Sequence, residues 1–529
     1  MLARTFVPCY RRADVISRLR RGPLRVLIHP LAYLVVASLI LLAHQAFYYH
    51  ALGSDAIDDA YISFRYAQNL VAGQGLVFNA AERVEGYTNF LWTIVLAIIM
   101  RLGLEPSLVA LGLGVLFSVA TLWLVHAFLR LTPVRDTPVS VIAVLCLALD
   151  GSFALWAVSG METSMFAFLV LAAVTSYLWE WENEKPGLLS GVLLALSAMT
   201  RPEGVLAFAA IVAHQAFARI ALQRKLLGSA DVARVGLFLV LYVPYFLWRY
   251  YYYGFLLPNT FYAKVTVHGT AAQQQRGIRH LRTFVNVHLG WMVPFLILVP
   301  LLKRRFTFWL TSLLTLVVAY VSYIVYVGGD WSVGRFFVPI LPAAYILVAT
   351  GLVEAYQTVR GWVRRVTGSS RAFLVLRCAA LSVLAAGLVG LFNFSSVHGE
   401  HELFVSRFQA AKATRARVAL GKWLRDSVPP DTFIAVDAAG QIPYYSGLRT
   451  LDMFGVNDVH TAHVKVGTMG QGVPGHEKFD FDYIMWRQPD LIIAGASFLD
   501  GSKIYERLDV PWTEDPSLHS FLYIYRRKA

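Results

Sequence analysis

The segment Asp55-Ala-Ile-Asp-Asp-Ala-Tyr-Ile-Ser-Phe-Arg65 follows closely on an apolar run from Val26 to Phe47, and this pairing decides how the rest of the chain reads. A run of that length matches the roughly 20 apolar residues a membrane-crossing helix needs. It is too long for the apolar core of a signal peptide, and no small-residue cleavage site closes it. It reads as an uncleaved first span whose basic flank, Arg18, Arg20, Arg21 and Arg25, stays in the cytoplasm. The polar stretch 50–89 then emerges on the outer side, with the adjacent carboxylates Asp58 and Asp59 at the membrane surface.

Composition extends this reading to most of the chain. Of 529 residues, 57% are hydrophobic and only 15% charged, against about 45–50% and 25% in soluble domains. The net charge of +14 would suit a nucleic-acid binder if the basic residues formed one surface. They fall instead in short clusters between apolar runs: Arg219, Arg224 and Lys225; Lys303, Arg304 and Arg305; Arg360, Arg364, Arg365 and Arg371. That is the bias of cytoplasmic loops, so membrane lipid and not nucleic acid is the expected partner. Cys9, Cys146 and Cys378 place no pair in an external loop, so no disulfide framework is expected.

Further apolar pieces lie at 90–102, 106–129, 138–157, 163–180, 187–200, 203–221, 235–253, 288–302, 306–327, 336–356 and 372–394. Allowing for pieces that do not cross, about 11 to 13 spans result. If every piece before loop 219–234 crossed once, that basic loop would lie outside, so 187–200 or 90–102 must pair with a neighbour or re-enter. Residues 254–287 form a second external loop. After Asn393 the character changes: 399–427 suits an amphipathic helix, and strand-like runs follow at Phe433–Val436, Thr450–Met453, Leu491–Ala494 and Phe521–Tyr525. The predicted fold is mainly α: a polytopic transmembrane helix bundle over 1–398, carrying a soluble α/β domain of about 130 residues over 399–529 on the outer face.

Chemistry-bearing residues gather at the external span ends. Asp58 or Asp59 could act as a base toward a hydroxyl at the mouth of a membrane cavity; their simpler role would be to cap the helix beginning near Ala60. The stretch Glu82-Arg-Val-Glu-Gly-Tyr-Thr-Asn-Phe-Leu-Trp92 offers Glu82, Glu85, Tyr87 and Asn89, residue types that bind sugars, though aromatic residues also belt membrane interfaces. Arg201, Lys264 and Arg335 are cations at external span ends, against the usual charge bias. They suit a phosphate, Arg through its planar fork, although each could also snorkel to headgroups. No cofactor is named by these residues; a divalent ion facing Asp59 and Asp330 is the one candidate, and it rests on residue type alone. His398/His401 and His460/His463 lack ligand-spaced partners and read as solvated or structural. Asp437, Asp452 and Asp458 stand at the ends of strand-like runs, where ligand, turn and cap roles are equally served.

Several of these strings together resemble a known family. Asp58-Asp-Ala-Tyr-Ile-Ser-Phe-Arg-Tyr-Ala, Gly75-Leu-Val-Phe-Asn and Glu82-Arg-Val-Glu-Gly-Tyr-Thr-Asn-Phe-Leu-Trp are similar to the opening loop of the mycobacterial terminal arabinofuranosyltransferases and their bacterial relatives. Trp156-Ala-Val-Ser-Gly-Met-Glu-Thr, Thr200-Arg-Pro-Glu-Gly, Leu257-Pro-Asn-Thr-Phe-Tyr-Ala-Lys and Gly328-Gly-Asp-Trp-Ser-Val-Gly-Arg-Phe follow in the right order; Asp437-Ala-Ala-Gly-Gln-Ile-Pro-Tyr-Tyr-Ser-Gly is a weaker match. The resemblance implies a GT-C glycosyltransferase in a bacterial inner membrane, its site on the periplasmic face. It implies inverting transfer from a polyprenyl-phosphate sugar to a glycan, lipid or protein, with Asp58 or Asp59 as base. Arg201, Lys264 and Arg335 would hold the donor phosphate, and Arg65, Glu82, Glu85, Tyr87, Asn89, Asn259 and Tyr262 the substrates. Arabinofuranose is one sugar it admits, not one it requires. The competing reading, a transporter or flippase of lipid-linked saccharides, predicts inverted repeats and midplane polar residues; the sequence shows no repeat, and its acids cluster in an external loop. A structural scaffold, the third reading, would tolerate loss of both Asp58 and Asp59.

Overall fold

Apolar stretches without charge satisfy their own backbone as helices, the form open to a chain segment in lipid, and the chain folds accordingly. The computed structural model describes residues 30–223, 228–265, 270–288, 290, 292–302 and 307–528. Cys9, the flank Arg18, Arg20, Arg21 and Arg25, and Arg224, Lys225, Lys303, Arg304 and Arg305 lie outside them. Among the described residues, eight helices are long and apolar enough to cross a membrane: Pro30–Ala51, Pro106–Arg130, Thr163–Glu182, Gly204–Ala221, Ser229–Tyr253, Phe308–Val327, Val338–Val366 and one starting at Ser370. Two bent pairs, Val139–Leu149 with Gly151–Ala157 and Ala271–Val287 with Met292–Pro300, bring the number to ten if each is one span.

The expected 11 to 13 is reached only by also counting Phe90–Arg101 and Leu188–Thr200. These are the two pieces that charge parity singled out, and they have 12 and 13 residues. At 1.5 Å per residue each reaches roughly 18–20 Å, short of a hydrocarbon core of about 30 Å. By length and composition the figure is therefore eight to ten. The second loop, 254–287, holds two helices, Asn259–Lys264 and Ala271–Val287.

Large apolar side chains point outward from the spans. Leu239, Val240 and Leu247 are exposed on Ser229–Tyr253, and Leu374, Val375, Leu381 and Val389 on Ser370–Leu391. Water would penalise such a surface and lipid does not. The chain is a multi-pass membrane protein.

The first loop is built around the helix Asp58–Val71. Ile57, Ala60, Tyr61, Phe64 and Ala67, spaced three and four apart, face the core of the bundle. Tyr66 turns to a second core shared with Leu76, Phe78, Tyr87, Tyr253 and residues of the tail. The helix is thus held between bundle and tail, which fixes the start of its first turn.

The last span runs through Ser370–Leu391 into a π-helical stretch, Phe392–Ser406, and the helix Ala410–Ser427 leads into the sheet. The strands are β1 (Phe433–Val436), β2 (Arg449–Asp452), β3 (Leu491–Ala494), β4 (Tyr505–Leu508) and β5 (Tyr523–Arg527), in the order β2-β1-β3-β5-β4. β1 lies parallel to β2 and β3, with Ile434 opposite Thr450 and Leu491; β5 runs antiparallel to β3 and β4. The carboxyl ends of the three parallel strands open toward Asp58 and Asp59.

Candidate functional site

Asp58 and Asp59 begin the first-loop helix, but neither caps it: the N-cap is Ile57, whose position carries no side-chain cap. Ile57 itself is held by its N–H donating to Ser159 O at 3.0 Å, and Gly160 beside it leaves no room for a Cβ, which would lie 2.5 Å from that of Ala56. The motif Trp156–Thr163 is therefore the bed on which the first turn rests.

The two carboxylates then diverge. Asp58 accepts from the backbone N–H groups of Gly440 (3.1 Å, Oδ2) and Gln441 (2.8 Å, Oδ1), so it does cap a helix start, but in the tail (Gln441–Ser446). Gly440 is needed there, because a Cβ would meet Asp58 O at 1.8 Å. Burial pushes the Asp58 carboxyl above the usual range, against Arg417 and the two N–H groups. Asp59 Oδ2 instead accepts from Arg335 Nη1 at 3.0 Å. Burial would raise its carboxyl too, but the charges of Arg335, Lys264 and His476 hold it below the usual range.

Arg335 lies under Trp156, its guanidinium carbon 5.4 Å from the ring centroid, and Nη1 also stands 3.8 Å from Asp330 Oδ2. The structure thus brings Asp59 and Asp330 together around a guanidinium. Among the described residues no three His, Cys, Asp or Glu side chains converge as metal ligands. The donor set does not fit a divalent ion, because the protein's own cation stands between the two carboxylates.

Two cavities meet here. One is lined by Asp59, Tyr87, Asn89, Arg201, Lys264 and Arg335, with Leu206, Tyr323 and Val327 from the spans. The other is lined by Asp58, Asp59 and Lys264 on one side and by Arg417, Asp437, Asp452 and His476 of the tail on the other. Asp59, Ile62, Lys264, Val456 and Pro474 belong to both walls.

The three predicted cations differ in what they have free. Arg201 donates to Glu162 (2.6 Å) and to both oxygens of Glu203 (3.1 and 3.2 Å), so two buried carboxylates offset it. Arg335 keeps its Nε without a partner. Lys264 makes no hydrogen bond or ion pair among the described residues; burial and the nearby Arg335 push its ammonium below the usual range, against Asp330 and Asp59.

Of the predicted substrate residues, Tyr87 and Asn89 line the first cavity. Asn89 donates to Glu162 at 2.6 Å and accepts from Ser63 at 3.0 Å; the Tyr87 hydroxyl accepts from Tyr253 at 3.1 Å. The others line neither cavity. Arg65 donates to the carbonyls of Phe78 (2.7 Å), Leu448 (2.7 Å) and Pro443. Glu82 binds Arg449 at 2.7 Å and Glu85 binds Arg249 at 2.6 Å. Asn259 donates to the carbonyls of Gly455 and Val456 at 2.9 and 3.0 Å, and Tyr262 packs on His463 at 4.5 Å between centroids. Arg65, Glu82 and Asn259 tie the tail to the membrane part.

Glu162, Glu203, Arg417 and His476 at the site were not singled out from sequence. Glu162 and Glu203 stand inside the motifs Trp156–Thr163 and Thr200–Gly204, and acids beside Arg201 were the available signal. Arg417 and His476 gave none.

Comparison with known proteins agrees with this architecture. A sequence family described as a domain of unknown function (DUF8728) matches residues 406–521, the tail. The chain is similar to a terminal beta-(1->2)-arabinofuranosyltransferase of Corynebacterium glutamicum, 27% identical over 348 residues, which cover 58% of this chain and 49% of that protein. It is 28% identical over 262 residues to the Mycobacterium tuberculosis protein of the same name, covering 46% of this chain and 40% of that one. The matches thus span about half or less of these relatives. In structure it resembles ArnT from Cupriavidus metallidurans bound to undecaprenyl phosphate (TM-score 0.59, 13% identity, 93% of this chain and 98% of that one). It also resembles the Archaeoglobus fulgidus oligosaccharyltransferase AglB in complex with an inhibitory peptide and a dolichol-phosphate (TM-score 0.53, 12% identity, 88% and 69%). The fold is the GT-C fold, as the sequence motifs implied.

Proposed function

We propose that this chain is a polyprenyl-phosphate-sugar-dependent glycosyltransferase of a bacterial inner membrane, acting at its outer face on a glycan, lipid or protein acceptor. The observation that carries the reading is that Asp59 and Lys264 line the wall shared by two cavities. The cavity that reaches span residues and holds Lys264 and Arg335 suits the donor; the one facing the tail suits the acceptor. Undecaprenyl phosphate in ArnT and dolichol-phosphate in AglB support a lipid-phosphate donor on this fold. The names of the sequence relatives favour arabinofuranose as the sugar.

Transfer inverts the anomeric carbon in one step. The acceptor oxygen forms its bond to that carbon as the bond to phosphate oxygen breaks, and the hydroxyl proton passes to Asp59. The phosphate leaves with the electron pair and needs no proton; Lys264 and the free Arg335 Nε stabilise its charge. Asp59 is favoured over Asp58 as base because both Asp58 oxygens already accept backbone hydrogen bonds.

The test is release of polyprenyl phosphate by purified protein in nanodiscs. It is given a panel of short-chain polyprenyl-phosphate sugars, arabinofuranose included, with a glycan and lipid extract as acceptor. Release by the wild type that Asp59→Asn abolishes is expected. Release undiminished in Asp59→Asn, or a covalent glycosyl-enzyme trapped on either Asp, overturns the mechanism; no release with any donor overturns the function.

A further inference from the structure

In open α/β sheets, ligands bind in the crevice outside the carboxyl ends of the parallel strands. Here that crevice is the tail's half of the second cavity: Asp437 follows β1, Asp452 ends β2 and Gly495 follows β3, and all three line it opposite Asp59. The polar groups of this chamber can be sorted by what they already hold. Asp58 is used by Gly440 and Gln441. Asp452 accepts from the N–H groups of Phe454 and Asn457 and from the Asn457 side chain. Asp437 gives one oxygen to Gly495 N at 2.6 Å and keeps the other. Arg417 makes no hydrogen bond or ion pair among the described residues, and its Nε is shut off from solvent without a partner. Asp58 feels the Arg417 charge but forms no ion pair with it. On the tail's side the binding capacity left over is a guanidinium fork, one carboxylate oxygen, the His476 ring and the faces of Phe454 and Phe521, with Trp331 beside them. Across the cavity, Lys264 and the second oxygen of Asp59 are the groups assigned to the donor and to the transferred proton.

From this remainder we infer that the tail's sheet edge is the acceptor-recognition site and that it selects a sugar bearing an anionic group, phosphate or carboxylate. The anion is held by Arg417, and a neighbouring hydroxyl by the free oxygen of Asp437. A neutral glycan would cover the half-buried guanidinium and leave its Nε, already shut off from water, without a partner, which costs binding in such a setting. A planar fork matches a tetrahedral or carboxylate anion through two oxygens. The inference deepens the transferase reading and rests on it for the word acceptor, but recognition of an anionic sugar can be measured without any transfer.

The experiment is equilibrium binding to the full chain in phosphatidylcholine nanodiscs. The probes are octyl glucoside 6-phosphate, its unphosphorylated parent, and farnesyl phosphate as a stand-in for the donor's lipid phosphate. The expected result is roughly ten-fold tighter binding of the phosphorylated glycoside, as a charge-assisted bidentate contact supplies. Arg417→Gln removes that preference, Arg417→Lys keeps part of it, and farnesyl phosphate binding is unchanged in both. Equal binding of the two glycosides by the wild type, no binding of either, or a preference that survives Arg417→Gln overturns the inference. So does a loss of farnesyl phosphate binding in Arg417→Gln, which would assign the cation to the lipid phosphate. The transferase reading stands or falls separately, on polyprenyl phosphate release.

Discussion

Arg335 and Asp59, 276 positions apart in the sequence, meet at 3.0 Å on the wall between the two cavities. The contact orients one Asp59 oxygen and leaves the other free, while its neighbour Asp58 spends both oxygens on the tail backbone. The two aspartates should therefore fail differently. Asp59→Asn is expected to lower kcat by about 10²–10⁴-fold, the usual worth of a positioned base, while costing in stability only its single ion pair with Arg335. Asp58→Asn weakens the hold on residues 440–441, so it should lower the unfolding temperature and raise the acceptor KM more than it lowers kcat. Steady-state kinetics with a melting curve on each variant separates the two.

Asp59 also sets a pH dependence. Burial favours its neutral form, but Arg335, Lys264 and His476 prevail and keep it ionised below the usual carboxylate value. A base with a depressed value stays active as pH falls, so the acid limb of kcat/KM, which reports the ligand-free protein, is expected below the usual carboxylate value. By linkage, the stability that this ionised pair contributes is present above the unfolded value and is lost as pH falls through the folded one. Removing the cation with Arg335→Gln moves the limb to higher pH, whereas Arg335→Lys keeps it low. A pH–rate profile of the residual activity reads the shift.

How much of this was legible in the sequence follows from what is local. The bounds of β1 and β3 read directly from Phe433–Val436 and Leu491–Ala494, because both are continuous apolar runs in the centre of the sheet. β4, Tyr505-Glu-Arg-Leu508, was missed: it is an edge strand with charged residues, and no apolar alternation marks it. Asp58, Asp59, Lys264 and Arg335 were named from their span ends and come together in space. The uses of Arg65, Glu82 and Asn259 were not legible, since a residue that binds a sugar and one that binds a carbonyl of the tail are the same in type. Their partners lie between about 190 and 380 positions away, Arg449 for Glu82 and the carbonyls of Leu448 and Gly455 for Arg65 and Asn259, beyond any local pattern.

The Arg65 fork predicts a structural phenotype. It serves carbonyls from the first loop, Phe78, and from the tail, Pro443 and Leu448, all away from water. Arg65→Ala removes these three buried hydrogen bonds, within the loop and to the tail. Phe78, Pro443 and Leu448 each keep a second donor in Asn69, Gly447 and Thr450, so the loss is on the order of 0.5–1.5 kcal/mol per bond. Arg65→Lys does not rescue, because an ammonium cannot span the same three positions. The expected outcome is earlier proteolysis between the membrane part and the tail in both variants, with no selective change in donor binding.

Lys264 and Arg201 test whether a cation is available or already used. Lys264 has no partner among the described residues and borders both cavities, so Lys264→Gln should raise the donor KM by roughly ten-fold, the worth of one charge-assisted contact, with little loss of stability. Arg201 sits between Glu162 and Glu203, all three buried. Arg201→Gln leaves two carboxylates without their cation, and breaking such a buried group typically costs about 3–5 kcal/mol. That variant should be destabilised before any donor effect is read, and the loss should shrink when Glu203→Gln is added, because one of the stranded charges is then gone. Arg201→Gln that stays as stable as the wild type while losing donor affinity would mean the ion pairs are not what holds this corner, and would return Arg201 to the phosphate.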